Sequence, residues 1–365
     1  MKIIRDYILK EFLSTFAMLI LLFTFVLVMG NIIKMADLII NRGVDILSAL
    51  KLLLYLSPYL LTFSMPMAVL TSTLLVFGRL SSDNEIMAMQ TSGIGLKDIF
   101  LPVVTIGLVF SVLSVPLNNS ILPHSHFAAR KVLKDILIKR PAAYLDAGAI
   151  VRDFKGYIIL VHEVDKNVLK NIRIYQPQKS RPTRSIVASR GEVISIEGRN
   201  AIRIKLSNGI SDEPDPSNPM HFYKMNFKTY YITLDLQKME ENADFAKKFK
   251  EMSFSELKDE MKKLKSEGID ISSAIAEMHK KTAISFSSLA FILIALPLAV
   301  TVRRGERSIG FGISLVLIVF YWLMLAGGEA VASMGIFTPW ICMWLPNIIV
   351  GGLGITLIII KSIKT

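Results

Sequence analysis

The run "FLSTFAMLILLFTFVLVMGNII", residues 12 to 33, contains no charged side chain. It is about 22 residues long, and a helix needs roughly 20 residues to cross the hydrocarbon core of a bilayer. A helix also satisfies its own backbone hydrogen bonds, which a lipid environment requires. The run therefore predicts a transmembrane helix and places the chain among membrane proteins.

Further apolar runs of the same kind follow along the chain. They are residues 52–77, 99–123, 282–302 and 308–328, and a last one lies within 340–360. The composition agrees, because 52% of the 365 residues are hydrophobic, 20% are charged and the mean hydropathy is +0.49. We therefore expect an α-helical membrane protein with six transmembrane helices.

The basic start "MKIIRDYILK" raises the alternative that the first run is a cleaved secretory signal. The apolar core of a signal is usually about 7 to 15 residues long, which is shorter than this run. No small-x-small cleavage site precedes Lys34. We expect the first span to stay in the protein.

The distribution of Lys and Arg predicts the orientation of the spans. Ten of these residues lie in segments 1–11, 79–98, 303–307 and 361–365, whereas the other short segments hold only Lys34, Arg42 and Lys51. Short loops on the cytoplasmic side are enriched in basic residues, and long domains cross regardless of charge. Both termini are thus predicted in the cytoplasm and residues 124–281 outside it.

Residues 124–281 differ in pattern from the membrane runs. Segments such as "GAIVRDFKGYIILVHEV" and "RSIVASRGEVISIEGRNAIRIKL" alternate apolar and polar residues, for example Ile202, Ile204 and Leu206 against Arg203 and Lys205. This period of two is typical of β-strands. We expect an all-β sandwich or open barrel of roughly seven to ten strands. Cys342 lies in the sixth span, so no disulfide framework is expected outside the membrane.

A separate helix is predicted at residues 253–267, "SFSELKDEMKKLKSE". Ser253 and Glu256 form a capping box, and Gly268 supplies the stop. One apolar face is formed by Phe254, Leu257, Met261 and Leu264. Such an amphipathic helix lies either on the membrane surface or on the β domain, and we favour the β domain.

Signals for catalysis are weak. The chain lacks the G-x-x-x-x-G-K-[ST] loop that holds nucleotide phosphates. His124 and His126 have no third ligand at useful spacing, so a pair of interfacial histidines is favoured over a metal site. Hydroxyl groups within the spans, Ser64 and Ser287 among them, are typical of helix packing. We therefore expect no enzymatic activity, no metal and no cofactor in this chain.

Charges at the outer ends of the spans are candidate functional groups, because charges near the membrane interior usually face a cavity or a partner. Lys34 follows the first span and Glu329 ends the fifth. Lys34 either extends its amine to the lipid interface or binds an anionic substrate group such as a phosphate. Arg130 and Lys131, just past the third span, form a second cationic pair.

The inner connection "RLSSDNEIMAMQTSGIGLKDI", residues 79–99, links the second and third spans. Ser81 or Ser82 can cap a short helix near residues 81–92, with Glu85 three to four residues further on. Apolar side chains on this helix, suited to contact with a partner's groove, are Ile86, Met87 and Met89.

The apolar runs and the inner connection at residues 79–99 resemble the LptF/LptG (YjgP/YjgQ) permeases, as do "GNIIKMADL" at residues 30–38 and "WLPNIIVGGLG" at 344–354. The resemblance covers nearly the whole chain. It implies transmembrane helices 1–3 in residues 1–123, a periplasmic jellyroll-like β domain in 124–281, and transmembrane helices 4–6 in 282–365. It does not distinguish LptF from LptG.

The resemblance also implies function and partners. The family extracts lipopolysaccharide from the outer leaflet of the bacterial inner membrane, as a heterodimer of paralogous permeases. Two copies of a cytoplasmic ATPase of the LptB type supply energy from ATP, a single-span LptC-type protein lies alongside, and the β domain passes the lipid to partner domains. In this family the inner connection is a coupling helix, where Glu85 matches the acidic residue that engages the ATPase. Lys34 falls at the position expected to bind the lipid, and no nucleic acid is involved.

Two other functions remain open from the residues alone. One is export of a different glycolipid or phospholipid, because acyl selectivity does not follow from periodicity. The other is a membrane-anchored β domain that serves as a scaffold without transport. Copurification of an ATPase and the identity of the bound lipid distinguish these alternatives.

Overall fold

The computed structural model describes residues 2–40, 44–139, 150–151, 156–165, 168–177, 183–196, 201–214, 222–235, 247–301, 307–335 and 337–364. They form two compact units. The first contains Met1–Gly30, Leu56–His126 and Lys248–Thr365, and the second contains Asn31–Tyr55 and Phe127–Lys247. The basic loop residues predicted at Arg303 and Arg304 lie outside the described residues.

Helices make up most of the described chain. They are α1 (Lys2–Ile40), α2 (Ile46–Ser82), α3 (Glu85–Thr91), α4 (Leu96–Pro116), a π-helical turn (Leu117–Ile121), α5 (Leu122–Lys139), a 3₁₀ turn (Phe249–Glu251), α6 (Phe254–Ser266), α7 (Ser272–Thr301), α8 (Arg307–Ser333) and α9 (Pro339–Lys364). Within the described residues, six helical stretches are long and apolar enough to cross a membrane. The predicted six spans are therefore confirmed.

Helix α7 is the centre of the membrane unit. It packs against α4 and α9. At two glycines the helices are so close that there is no room for a side chain. A Cβ atom at Gly354 of α9 would overlap the backbone of Leu293, and one at Gly107 of α4 would overlap the side chain of Ile292. Small residues at such crossings let transmembrane backbones approach closely.

Buried amides join the helices of this unit. The Asn118 side chain, in the π-helical turn, donates to Ser285 Oγ at 3.0 Å and accepts from Thr62 Oγ1 at 3.0 Å. Asn347 of α9 accepts from the Tyr321 hydroxyl at 3.0 Å and donates to a backbone carbonyl of α7 at 2.7 Å. Because a polar group in hydrocarbon is costly when unpaired, these bonds fix the alignment of neighbouring helices.

The membrane helices differ in the share of their residues that is buried inside the protein. In the most apolar 18-residue window of α2 and of α7, 72% of residues are buried, whereas the share is 11% in α1 and 22% in α8. Apolar side chains of α1 and α8 therefore remain open to lipid or to another protein.

The second unit contains a six-stranded antiparallel sheet. Its strands are β1 (Ile150–Val151), β2 (Ile158–Asp165), β3 (Val168–Gln176), β4 (Arg184–Ile196), β5 (Ala201–Pro214) and β6 (Phe222–Asp235), each paired with the next along the chain. The inserted β domain is confirmed. The six described strands are fewer than the seven to ten expected, and their consecutive order differs from a jellyroll, which has two sheets and crossover connections.

The alternation of buried residues shifts at one line across the sheet. In β3, Leu169 is buried on one side of Asn171 and Ile172 on the other, so the inward face changes from odd to even numbers. Asn171 and Asn208 have φ angles of 50° and 53°. Ser189 of β4 lies between them in the register and its hydroxyl donates to the Asn208 carbonyl at 3.0 Å. We call this line of residues the crease.

The predicted amphipathic helix is observed as α6. Ser253 caps it, with Ser253 N donating to Glu256 Oε2 at 2.7 Å, and Gly268 follows it with a φ angle of 71°. Leu257 is fully buried beside Met252 and Ala274, the latter in the first turn of α7. The preferred placement on the β domain is therefore wrong, since the apolar face of α6 covers the start of a membrane helix.

Candidate functional site

The short helix α3 begins directly after a two-residue turn that follows α2. Asn84 occupies the N-cap position with a φ angle of 60°, and no side chain caps the helix. The predicted cap at Ser81 or Ser82 is wrong, because both residues belong to the last turn of α2. Asparagine tolerates the left-handed conformation that the turn requires.

Glu85, the first residue of α3, is hydrogen-bonded to α1 and is linked through Tyr7 to the end of α2. The Tyr7 hydroxyl donates to Glu85 Oε2 at 2.9 Å, and Arg79 Nη2 donates to the Tyr7 oxygen at 2.9 Å. The same guanidinium lies 3.4 Å from Glu11 Oε1. We call Tyr7, Glu11, Arg79 and Glu85 the inner polar network. One arginine between two glutamates leaves it with an excess negative charge.

The three apolar residues predicted to contact a partner are divided between two faces of α3. Ile86 is 3% exposed and belongs to the apolar core of the membrane unit, and Met89 packs against that core. Met87 is 48% exposed. Successive residues of a helix point about 100° apart, so Met87 is exposed while Ile86 anchors α3 to its own protein.

The predicted outer cations lie in the second unit. Lys34 is exposed on α1, one turn before Leu38, which belongs to a small apolar cluster with Val132 and Ile136 of α5. This cluster brings the end of α1 beside the helix that carries Arg130 and Lys131.

The Phe127 ring of α5 lies close to two cations. Arg130 Cζ lies 5.7 Å from the centre of the Phe127 ring, and Lys247 Nζ lies 5.5 Å from it. Lys131 is exposed next to them. Both cations are attracted to the face of the ring by its quadrupole. Lys247 was not predicted to join these cations, because it is 116 residues away from Lys131 in the chain and only folding places it beside the ring.

Glu329, the acid at the end of α8, is ion-paired. Lys280 Nζ lies 2.6 Å from its Oε2 and Lys250 Nζ lies 3.7 Å from its Oε1. These residues line a cavity of about 260 Å³ together with Glu277. The pair joins α7 to α8 at one end of the membrane unit.

The two histidines have local partners. The His124 ring nitrogen Nδ1 is hydrogen-bonded to the Ser120 carbonyl at 2.6 Å, and the His126 ring packs edge-on against Tyr59 at 5.4 Å between centres. Within the described part of the chain, no group of three or more His, Cys, Asp or Glu side chains is placed to hold a metal ion.

Comparison with known families assigns the chain. The family model described as "Lipopolysaccharide export system permease LptF/LptG" matches residues 6–360. The chain belongs to the LptF/LptG family. This family is a group of permeases and not of enzymes, and its members are lipopolysaccharide export proteins of the membrane.

A curated protein also matches the chain, at low sequence identity. The chain is 22% identical over 235 residues to uncharacterized protein RP871 of Rickettsia prowazekii (strain Madrid E). The match spans 64% of this LptF/LptG chain and 64% of the relative. It adds no functional detail to the family assignment.

Within this LptF/LptG chain, the partners of Glu85 were not predicted from the sequence. Tyr7 and Glu11 are separated by one helical turn, which places both on one face of α1. That spacing was visible in "RDYILKEF", but its contact with residues 79 and 85 depends on how three helices pack. The nearest available signal was the position of Arg79 at the end of the second apolar run.

Proposed function

We propose that this chain is one permease subunit of an ABC transporter that extracts lipopolysaccharide from the outer leaflet of the bacterial inner membrane. A paralogous permease completes the membrane dimer, and two copies of an LptB-type ATPase supply the energy of ATP hydrolysis. The observation that carries the proposal is the family match over residues 6–360. The proposed topology has both termini in the cytoplasm and the β domain in the periplasm, in line with the Lys and Arg distribution.

The inner polar network is the proposed contact with the ATPase. Its excess negative charge favours a basic residue of a partner, and a charge-assisted hydrogen bond gives such a contact direction as well as strength. Exposed Met87 adds an adaptable apolar contact. Because Tyr7 joins Glu85 to α1, a displacement of α3 by the ATPase is passed directly to the first membrane helix.

The proposed route of the lipid follows the poorly covered helices. The open apolar surfaces of α1 and α8 suit a partner permease and the acyl chains of a bound lipid. Lys34, Arg130 and Lys131 are the proposed ligands for the phosphate groups of lipopolysaccharide. Lys247 and Phe127 support the same group of cations. The β domain then passes the lipid to an LptC-type single-span partner.

The first test is co-expression with the candidate ATPase and paralogous permease, followed by native mass spectrometry and lipid identification. We expect a particle of two permeases and two ATPases that carries lipopolysaccharide. A particle with another lipid would support the transporter but replace lipopolysaccharide as the proposed cargo. A lone chain without ATPase would overturn the proposal in favour of a scaffold.

The second test addresses coupling. Glu85→Ala and Glu85→Lys should leave the permease dimer intact but separate ATP hydrolysis from lipid release, or prevent the ATPase from binding, with the larger loss for the reversed charge. Asp83→Ala is the matched control, because Asp83 is an exposed acid in the same connection. Wild-type assembly and transport in both Glu85 variants would refute the role.

A further inference from the structure

A cavity of about 530 Å³ lies between the beginnings of α1 and α4. Its polar wall contains Lys2 and Arg5 of α1 and Asp98 of α4, and its apolar wall includes Leu101, Pro102 and Ile106. The two helices meet with their N-terminal ends at the same side, so the polar groups gather at one end of the cavity. Its volume lies within the range of small-molecule sites, about 300–1,000 Å³.

The cavity changes from charged to apolar along the helix axes. The rise from Asp98 to Ile106 is about 12 Å at 1.5 Å per residue. The Thr105 hydroxyl donates to the Leu101 carbonyl at 2.8 Å, so it presents no unsatisfied donor to the apolar end. A charged mouth above an apolar slot fits a lipid whose headgroup lies at the bilayer surface and whose acyl chain descends along the helices.

The charges at the mouth have both signs. Arg5 Nε lies 3.2 Å from Asp6 Oδ1, with 54% of the Arg5 side chain and 66% of the Asp6 side chain exposed. Lys2 and Asp98 are also exposed. Lys2, Arg5 and Asp98 line the cavity, and Asp6, which does not line it, offsets the Arg5 charge. A purely anionic headgroup therefore meets repulsion as well as attraction. A zwitterionic headgroup satisfies both signs.

We propose that this cavity binds one aminophospholipid of the phosphatidylethanolamine type, from the leaflet at the N-terminal ends of α1 and α4. The lipid phosphate contacts Lys2 and Arg5, its ammonium group contacts Asp98, and one acyl chain lies along Leu101, Pro102 and Ile106. This site is distinct from the proposed cargo route at Lys34, near the opposite end of α1. It requires only that α1 and α4 span a membrane, so it stands even if the cargo is another lipid.

Native mass spectrometry of the full-length chain in mild detergent tests the site. Equal amounts of phosphatidylethanolamine and phosphatidylglycerol are added, and the ratio of the two one-lipid species is measured. We expect the wild type to favour phosphatidylethanolamine and Asp98→Asn to lower the ratio roughly threefold, the scale of one exposed ion pair. The double substitution Lys2→Gln and Arg5→Gln should reduce binding of both lipids, because both present a phosphate.

Two controls keep the result specific. Asp98→Glu keeps the charge and should keep the preference, which separates recognition from a general loss of folding. Lys10→Gln removes an exposed cation of α1 that does not line the cavity and should change neither lipid. Equal retention of both lipids by the wild type, or the same ratio in Asp98→Asn as in the wild type, would overturn the proposal.

Discussion

Removing the hydroxyl group of Tyr7, in Tyr7→Phe, should loosen α3 from the first membrane helix. That oxygen donates to Glu85 at 2.9 Å and accepts from Arg79 at 2.9 Å. Phenylalanine keeps the ring, so the substitution removes the two hydrogen bonds and leaves the packing surface in place.

The size of the effect follows from the exposure of the partners. A hydrogen bond to a charged group contributes about 1.5–3 kcal/mol. Tyr7 is 38% exposed, so water replaces part of what is lost. Of the two bonds, only the one to Glu85 joins α3 to α1, since Arg79 lies on α2, so we expect α3 to lose about 1–2 kcal/mol of stabilisation. Since about 1.4 kcal/mol corresponds to a factor of ten, the detached population of α3 should rise roughly 5- to 30-fold.

Hydrogen–deuterium exchange of the full chain in lipid nanodiscs measures this population. Backbone amides of residues 85–91 should exchange roughly 5- to 30-fold faster in Tyr7→Phe, with the centre of α2 unchanged. Tyr59→Phe is the control, because it removes a tyrosine hydroxyl of α2 away from α3. Unchanged exchange in α3, or equal acceleration in the control, would refute the conclusion that the inner polar network holds α3.

Two further predictions concern the lipid route and the membrane core. Lys34→Glu should weaken lipopolysaccharide retention at low salt, with a smaller difference at high salt because ions screen the charge; Lys51→Glu, also exposed, is the control, and undiminished retention at every salt concentration counts against Lys34. Gly354→Ala should lower the free energy of unfolding by roughly 1–3 kcal/mol through overlap with the Leu293 backbone. Gly352→Ala, whose Cβ would meet nothing within 4 Å, should not, and equal thermal midpoints would disprove the packing argument.

The membrane architecture was accessible from the sequence because each span is a long uncharged run, and that signal depends on composition alone. The capping box of α6 was accessible for a similar reason, since Ser253 and Glu256 act on backbone groups within one turn. The partner surface of α6 was not, because its apolar face fits any apolar neighbour. Only the folded chain decides between Ala274 of α7 and the sheet.

In the candidate site, too, the local features were predictable from the sequence and the long-range contacts were not. The resemblance placed Glu85 in a coupling helix, but its bond to Tyr7 spans 78 positions of the chain. Ile86 was expected to face a partner because it is apolar and lies in a short connection. The folded protein uses it as an anchor instead, since burial of Ile86 fixes an otherwise marginal two-turn helix.

The crease restricts the register in which the strands of the β sheet can pair. In an ordinary strand pair, a shift by one residue exchanges the two faces but leaves the backbone shape alike. Here, Asn171 and Asn208 align with Ser189 in a single pairing, and a shifted partner would place a left-handed residue beside extended backbone. Mispaired sheets therefore lose the aligned crease as well as the buried face. The pairing of these strands is thus restricted at two asparagines in addition to the hydrophobic pattern.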